Sequence, residues 1–139
     1  MSTTLDKTLR NNRLNLDIYE RAVQAARQAA AEAVPSPIVV GTPTTPFGND
    51  IDMNKEVWFV SDGVCGFGWV NIKPARGAFV TFAKTRNLGH TNSYEGGYDI
   101  NMGRITNSQS LARNAAAAAA FAAVLNAAGV KSRAQSRID

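Results

Sequence analysis

Two alanine-rich segments constrain the fold of this 139-residue chain most strongly. The first predicts a helix that runs to Val34 before a pair of prolines, with Asn15 or Asp17 as its N-cap. The second predicts a helix that runs to Ala128 before Gly129, with Ser108 or Asn107 as its N-cap. Alanine-lined helices approach their neighbours closely, but each alanine buries little apolar area. A monomer of this kind would have a thin core, so a homo-oligomer is expected, with a compact monomer as the alternative.

Short apolar runs bounded by glycine, proline and asparagine predict five strands, at 38–40, 56–60, 64–73, 94–102 and 130–138. The second and third strands form a predicted hairpin across residues 61–63, and residues 78–84 predict a short helix. This order predicts an α+β fold, in which two long alanine-rich helices and the short helix pack on one mixed or antiparallel sheet of about four to five strands.

Domain organisation follows from the absence of any linker in the sequence. Residues 1–139 are expected to form a single domain. Leu5 and Leu9 predict one or two helical turns near the N-terminus, which would not be stable alone. Residues 1–14 are therefore a candidate docking arm.

The third strand has an unusual alternation. Gly66 and Gly68 alternate with Cys65, Phe67 and Trp69. Because side chains alternate between the two faces of a strand, both glycines lie on one face. That face has room for a large group to approach the backbone closely.

Charge is distributed unevenly along the chain. Residues 71–139 hold nine basic and three acidic residues, whereas residues 1–70 hold six basic and eight acidic ones. Ten of the fifteen basic residues are arginine, which suits bidentate contacts with phosphate. The second half therefore predicts a small anionic partner, the alternative being an ordinary solvated surface. The net charge of +4 and the lack of a continuous basic run argue against binding of long nucleic acid.

Cellular context is predicted from the same composition. No apolar run reaches the roughly 20 residues that a membrane span needs, so no membrane association is expected. The polar N-terminus contains no readable targeting segment. A single cysteine, Cys65, excludes an internal disulfide and favours a reducing cytoplasm.

Two groups of residues are candidate anion sites. Lys73 and Arg76 lie where a strand leads into a helix, so their charges would add to the positive helix N-terminus and form a phosphate seat. Arg133, Gln135 and Arg137 lie on one face of the last predicted strand. If another subunit covers that face, an anion is expected between the arginines, and if it is exposed it is a charged surface.

Four aromatic residues lie near these basic residues in the sequence and could stack on a nucleotide base: Trp69, Phe82, Tyr94 and Tyr98. Phe82 and Tyr98 are the two assigned to the site, although a core position is the favoured alternative for Phe82. Asn107 is a candidate for contacting a base or ribose edge. No catalytic set, metal site or cofactor is predicted, because His90 is the only histidine. Cys65 is expected to be a buried, inert thiol.

Three segments resemble a group of small bacteriophage-encoded proteins, and the similarity extends to the Thoeris anti-defence sponge family. They are CGFGWVNIKPARG (65–77), YEGGYDI (94–100) and AFAAVLNAAGVKSRAQSRID (120–139), all in the second half of the chain. The resemblance implies an oligomer that sequesters a cyclic ADP-ribose isomer or a cyclic oligonucleotide without cleaving it. This capture would block host anti-phage defence in the cytoplasm of the infected bacterium.

The resemblance also implies roles for particular residues. Arg133 and Arg137 would be the paired arginines that bind phosphate, and Arg76 would be a third. The alternative, from a different class, is a virion structural protein such as a capsid decoration or connector subunit, in which alanine-rich helices serve subunit contacts alone.

Overall fold

The computed structural model describes residues 4–45, 48 and 50–139. Its helices are α1 (Thr4–Glu32), α2 (Ala78–Thr85), α3 (Gly103–Thr106) and α4 (Leu111–Ala127). Its strands are β1 (Ile38–Gly41), β2 (Val57–Val60), β3 (Gly66–Ile72), β4 (His90–Thr91), β5 (Tyr98–Asn101) and β6 (Ser132–Ile138). The α+β class is thus confirmed.

The described strands form two antiparallel sheets rather than the single predicted sheet. Strands β1 and β2 form a two-stranded ribbon, and the other four form a sheet in the order β4-β5-β3-β6. The predicted hairpin across residues 61–63 is wrong, because β2 pairs with β1. Both edges of β3 are occupied by β5 and β6, which leaves no edge for β2.

Helices α1 and α4 pack against each other in antiparallel orientation. Tyr19 contacts Phe121 edge to face at a centroid distance of 6.0 Å, and Arg113 Nη1 donates to the carbonyl of Ala30 at 2.6 Å. Small side chains permit this close packing, since Ala22 and Ala26 are fully buried. The core is completed by large side chains of the sheet, α2 and α4: Val70, Ile72, Phe79, Val80, Phe82, Tyr98, Ile100, Met102, Phe121 and Leu125.

Glycines 66 and 68 admit helix α4 to the surface of β3, as the alternation predicts. A Cβ atom on Gly68 would clash with the backbone carbonyl of Asn114, and one on Gly66 would lie 2.7 Å from Leu111. Asn114 is buried at this contact. Its Nδ2 donates to the carbonyls of Gly66 and Ser108, while its Oδ1 accepts from the hydroxyl of Thr106.

Several element boundaries differ from those predicted. Helix α1 is continuous from Thr4 and does not begin near Asn15, because residues 4–32 contain no glycine or proline. The part of the predicted arm at residues 4–14 is therefore helical, with every residue exposed, and residues 1–3 lie outside the described residues. The N-cap of α4 is Ser110, whose side chain accepts from the amide of Arg113, so neither Asn107 nor Ser108 fills this position.

The fold contains no described helix that is both long enough and apolar enough to cross a membrane. Helix α1 is long, but its exposed half is polar and charged. Helix α4 is apolar, but it has 17 residues.

Replacing Gly68 with alanine tests the close contact with α4. The added methyl group would meet backbone rather than a movable side chain, so we expect Gly68→Ala to lower the free energy of unfolding by about 1–3 kcal/mol. Urea unfolding would measure the change. The control is Gly103→Ala, where the new Cβ would meet only the side-chain oxygen of Asn101, at 3.1 Å. Equal stability of both variants would contradict the argument.

Candidate functional site

The four-stranded sheet has one face against the helices and another that points away from them. Val70 and Ile72 of β3 face the helices, so Phe67, Trp69 and Asn71 lie on the opposite side. Residues paired directly across neighbouring strands share a face. The register thus defines an open face made of Phe67, Trp69, Asn71, Asp99, Asn101, Arg133, Gln135 and Arg137.

The β3–β6 half of the open face combines aromatic rings with arginines. The Arg137 guanidinium carbon lies 5.4 Å from the centroid of the Phe67 ring. Trp69 Nε1 donates to Gln135 Oε1 at 2.7 Å. Phe67 is 39% exposed, and both arginines are exposed. Within the described part of the chain, no carboxylate forms an ion pair with Arg133 or Arg137. Both positive charges are therefore available to an anion.

The β3–β5 half of the open face is closed by a polar cluster. Asn71 is 1% exposed, and its Nδ2 donates to Asp99 Oδ1 at 2.7 Å and to the carbonyl of Gly96 at 3.0 Å. Asn92 Nδ2 donates to the other oxygen of Asp99 at 2.9 Å, and His90 Nε2 lies 3.9 Å from that oxygen. The cluster holds the segment that contains Asn92 and Gly96 over the sheet, so Asp99 is shielded from solvent.

Lys73 lies near the start of β6, because the neighbouring residue Ile72 pairs with Ser132. Its ammonium group donates to the carbonyl of Glu95 at 3.0 Å. Arg76 is exposed in the turn before α2 and precedes the N-cap residue Gly77. The predicted helix start after Gly77 is confirmed. Lys73 therefore lies at the end of the sheet nearest Arg133 and adds a third positive charge to those of Arg133 and Arg137. Arg76 lies apart from them, in the turn.

The two predicted stacking residues lie in the core, and this prediction must be corrected. Phe82 is 3% exposed and packs against Phe79. Tyr98 is 2% exposed, and its hydroxyl accepts from the amide of Gly89 at 2.8 Å. Neither ring has a free face for a ligand, because both side chains are buried in the core and the Arg86 guanidinium carbon lies 5.0 Å from the centroid of the Phe82 ring.

The sequence analysis did not include Phe67 among the aromatic candidates, and it named Trp69 but did not assign it to the site. The signal was present in their alternation with Gly66 and Gly68. If a helix packs on the face of β3 that carries the glycines, the residues between them must point to the other face. Recognising them required knowing that α4 fills the glycine face.

A cleft of about 1050 Å³ adjoins the open face at Phe67 and Asn101. Its lining includes His90, Arg104 and Asn107. Asn107 ends α3 in a left-handed conformation with φ of 53° and is exposed, so it lies at the cleft and not on the open face. Phe67 and Asn101 therefore connect the open face with this cleft.

Cys65 also lines the cleft, and it is exposed, so the expectation of a buried thiol is wrong. His90 lines the same cleft but lies at the level of Asp99 and Asn71 in the sheet. Six residues of β3, about 20 Å, separate that level from Cys65. The two side chains therefore do not form a nucleophile and base pair. Within the described residues, no cluster of three His, Cys, Asp or Glu side chains could hold a metal ion.

A smaller cleft of about 380 Å³ lies beside α1 and α3 and is lined by three arginines. Arg27 Nε donates to the carbonyl of Ile105, and Arg113 binds the carbonyl of Ala30 and the carboxylate of Asp62. These two arginines therefore tie helices together, while Arg104 is exposed and borders both clefts.

Comparison with known proteins gives no match: none was found among protein-family models, curated proteins or solved structures. The candidate site is therefore defined by the geometry of the open face and the adjoining cleft.

The cleft residue Tyr19 predicts a pH dependence of stability. Burial raises the pKa of Tyr19 above 10.0, partly offset by the charge of Arg27. Above that pH the unfolded chain releases the phenol proton more readily than the folded one, so stability falls as the pH rises. Tyr19→Phe should reduce this alkaline loss in urea unfolding measured from pH 8 to pH 11.

The matched control for this measurement is Tyr94→Phe, since Tyr94 is 95% exposed. It should lose stability with the same slope as the original protein. An unchanged slope in Tyr19→Phe would show that this phenol does not contribute.

Proposed function

We propose that this protein binds a nucleotide-type ligand on its open face and holds it without chemical change. One observation carries the proposal: the exposed ring of Phe67 and the partly buried indole of Trp69 lie beside two exposed arginines, with which no described carboxylate forms an ion pair. Aromatic faces stack on bases, and guanidinium groups bind phosphate, so the two halves of a nucleotide have complementary partners here.

The arrangement favours a ligand with more than one phosphate. Arg133 and Arg137 are four residues apart on β6, which separates their backbones by about 13 Å. Gln135 lies between them, and its amide oxygen is engaged by Trp69, so the indole is held in a fixed orientation. A ligand that spans both arginines would cover this indole and the neighbouring Phe67.

The resemblance to the phage sponge family gives the proposal a specific form. The ligand would be a cyclic nucleotide-type immune signal, a cyclic ADP-ribose isomer or a cyclic oligonucleotide. Binding alone lowers the free concentration of such a signal, so a sponge needs no catalytic residue. The proposed setting is the cytoplasm of an infected bacterium, where capture would block the host defence.

Replacing both arginines tests this function. Purified protein would be titrated with ADP-ribose, cyclic ADP-ribose isomers and cyclic di- and trinucleotides, with thermal unfolding as the readout. A ligand at about 100 times its Kd should stabilise the folded state by roughly 2.7 kcal/mol. The double variant Arg133→Ala/Arg137→Ala should show no such stabilisation, because the phosphate partners are removed.

The matched control is Lys84→Ala/Arg86→Ala, which removes the same charge from exposed positions on and just after α2. It should bind normally. A further variant, Phe67→Leu, keeps apolar bulk but loses the stacking face, so affinity should fall by about tenfold. Stabilisation by no member of the panel, or equal affinity in the arginine variant, would contradict the proposal.

A virion structural role is the second candidate function. The observation that favours it is the set of exposed apolar side chains on the β1–β2 ribbon and on the N-terminal turns of α1, which suit contacts between subunits. Recovery of the protein in purified phage particles, together with no ligand-induced stabilisation, would favour this role over nucleotide capture.

A further inference from the structure

We propose that copies of this chain associate head to tail, with the β1–β2 ribbon of one copy docked on the N-terminal turns of α1 of the next. We call the helical segment Thr4–Leu14 the overhang, and strands β1 and β2, together with residues 50–56 that lead into β2, the ribbon. This inference is independent of the nucleotide site, because neither surface includes a residue of the open face.

The overhang extends α1 beyond the core. All of its residues are exposed, including Leu5 at 67%, Leu9 and Leu14. Leu5 and Leu9 are four residues apart and so lie on one side of the helix. Burying these leucines against another surface would remove apolar area from water and so stabilise the overhang.

Four apolar side chains of the ribbon are likewise left uncovered by the part of the chain that the structure describes. Val39 pairs with Phe59 on one side, and Val40 pairs with Trp58 on the other. All four side chains are exposed, Phe59 at 73%. Isolated two-stranded ribbons are marginally stable in water, and an uncovered pair of apolar faces marks an interaction site.

These two surfaces lie at opposite ends of the molecule. Helix α1 has 29 residues and spans about 43 Å, and the chain enters the ribbon directly after its C-terminal end. At that end, Arg113 of α4 binds both Ala30 and Asp62, which fixes the exit of the ribbon there. The ribbon therefore cannot reach the overhang of its own chain, but it can reach that of a second copy.

Opposite charges identify the second copy as the partner. The overhang contains Lys7, Arg10 and Arg13 with one acid, a surplus of two positive charges. Residues 50–56 of the ribbon connection contain three acids, Asp50, Asp52 and Glu56, with one lysine, a surplus of two negative charges. Like charges oppose the pairing of two overhangs or two ribbons, whereas ribbon and overhang attract.

Because the ribbon and the overhang are different surfaces, their contact is a heterologous interface. Each copy uses its ribbon to bind one neighbour and its overhang to bind another. The assembly closes into a ring or extends as a chain, depending on the rotation between neighbours. Either form brings successive open faces into a repeated array.

Complementation between two variants tests this arrangement. Trp58→Ser/Phe59→Ser removes the ribbon surface, and Leu5→Ser/Leu9→Ser removes the overhang surface. The original protein should form oligomers in analytical ultracentrifugation, and each variant alone should be a monomer. An equimolar mixture should give a dimer that grows no further, because only one intact ribbon and one intact overhang can meet.

Charge reversal provides a second measurement, one that retains every apolar side chain. Arg10→Glu/Arg13→Glu should weaken association, and adding Asp52→Lys/Glu56→Lys to the same chain should restore it. Association of the original protein should also weaken as salt is raised.

The control is Tyr94→Ser, an even more exposed aromatic position outside both surfaces, which should assemble normally. Circular dichroism and urea unfolding would confirm that each variant is folded. A monomeric original protein, a mixture that stays monomeric, or a variant that still assembles through one surface would each overturn the proposal. Failure of nucleotide binding would leave it intact, since the readouts are separate.

Discussion

The close contact between α4 and the two glycines of β3 is the constraint on which the rest of the structure depends. Gly68 has no Cβ, so the backbone at Asn114 rests directly on the strand. The side-chain Nδ2 of Asn114 then donates to the carbonyl of Gly66. This hydrogen bond gives a partner to both groups where the contact buries them. This contact decides which face of the sheet is buried, and therefore which residues are presented to solvent.

Two different electrostatic environments result on the solvent side of the sheet. Asp99 is buried and accepts hydrogen bonds from Asn71 and Asn92, so its charge is compensated within the cluster. Arg133 and Arg137, on β6, have no described acidic partner. The carboxylate of Asp99 is thus withdrawn from the surface, and the positive charges of Arg133 and Arg137 are left for a ligand.

Local sequence patterns predicted the helices and strands better than they predicted which strands pair and which face of the sheet is buried. Alternation placed Arg133, Gln135 and Arg137 on one face of the last strand, and the register confirms it. The same rule placed Tyr98 opposite Asp99, but it could not say which side the helices cover, so Tyr98 was assigned to the site although it is in the core. Pairing of β2 with β1 also depends on distant strands, since β5 and β6 occupy the edges of β3. The continuity of α1, by contrast, was readable from the absence of glycine and proline.

Strand β6 lies at one end of the four-stranded sheet, with β3 as its neighbour. Edge strands can recruit strands from other molecules, and polar or charged side chains discourage such pairing. The sequence SRAQSRI is mostly polar, and its two arginines are exposed. Their mutual repulsion across two approaching edges therefore protects the sheet from growing between molecules into an aggregate.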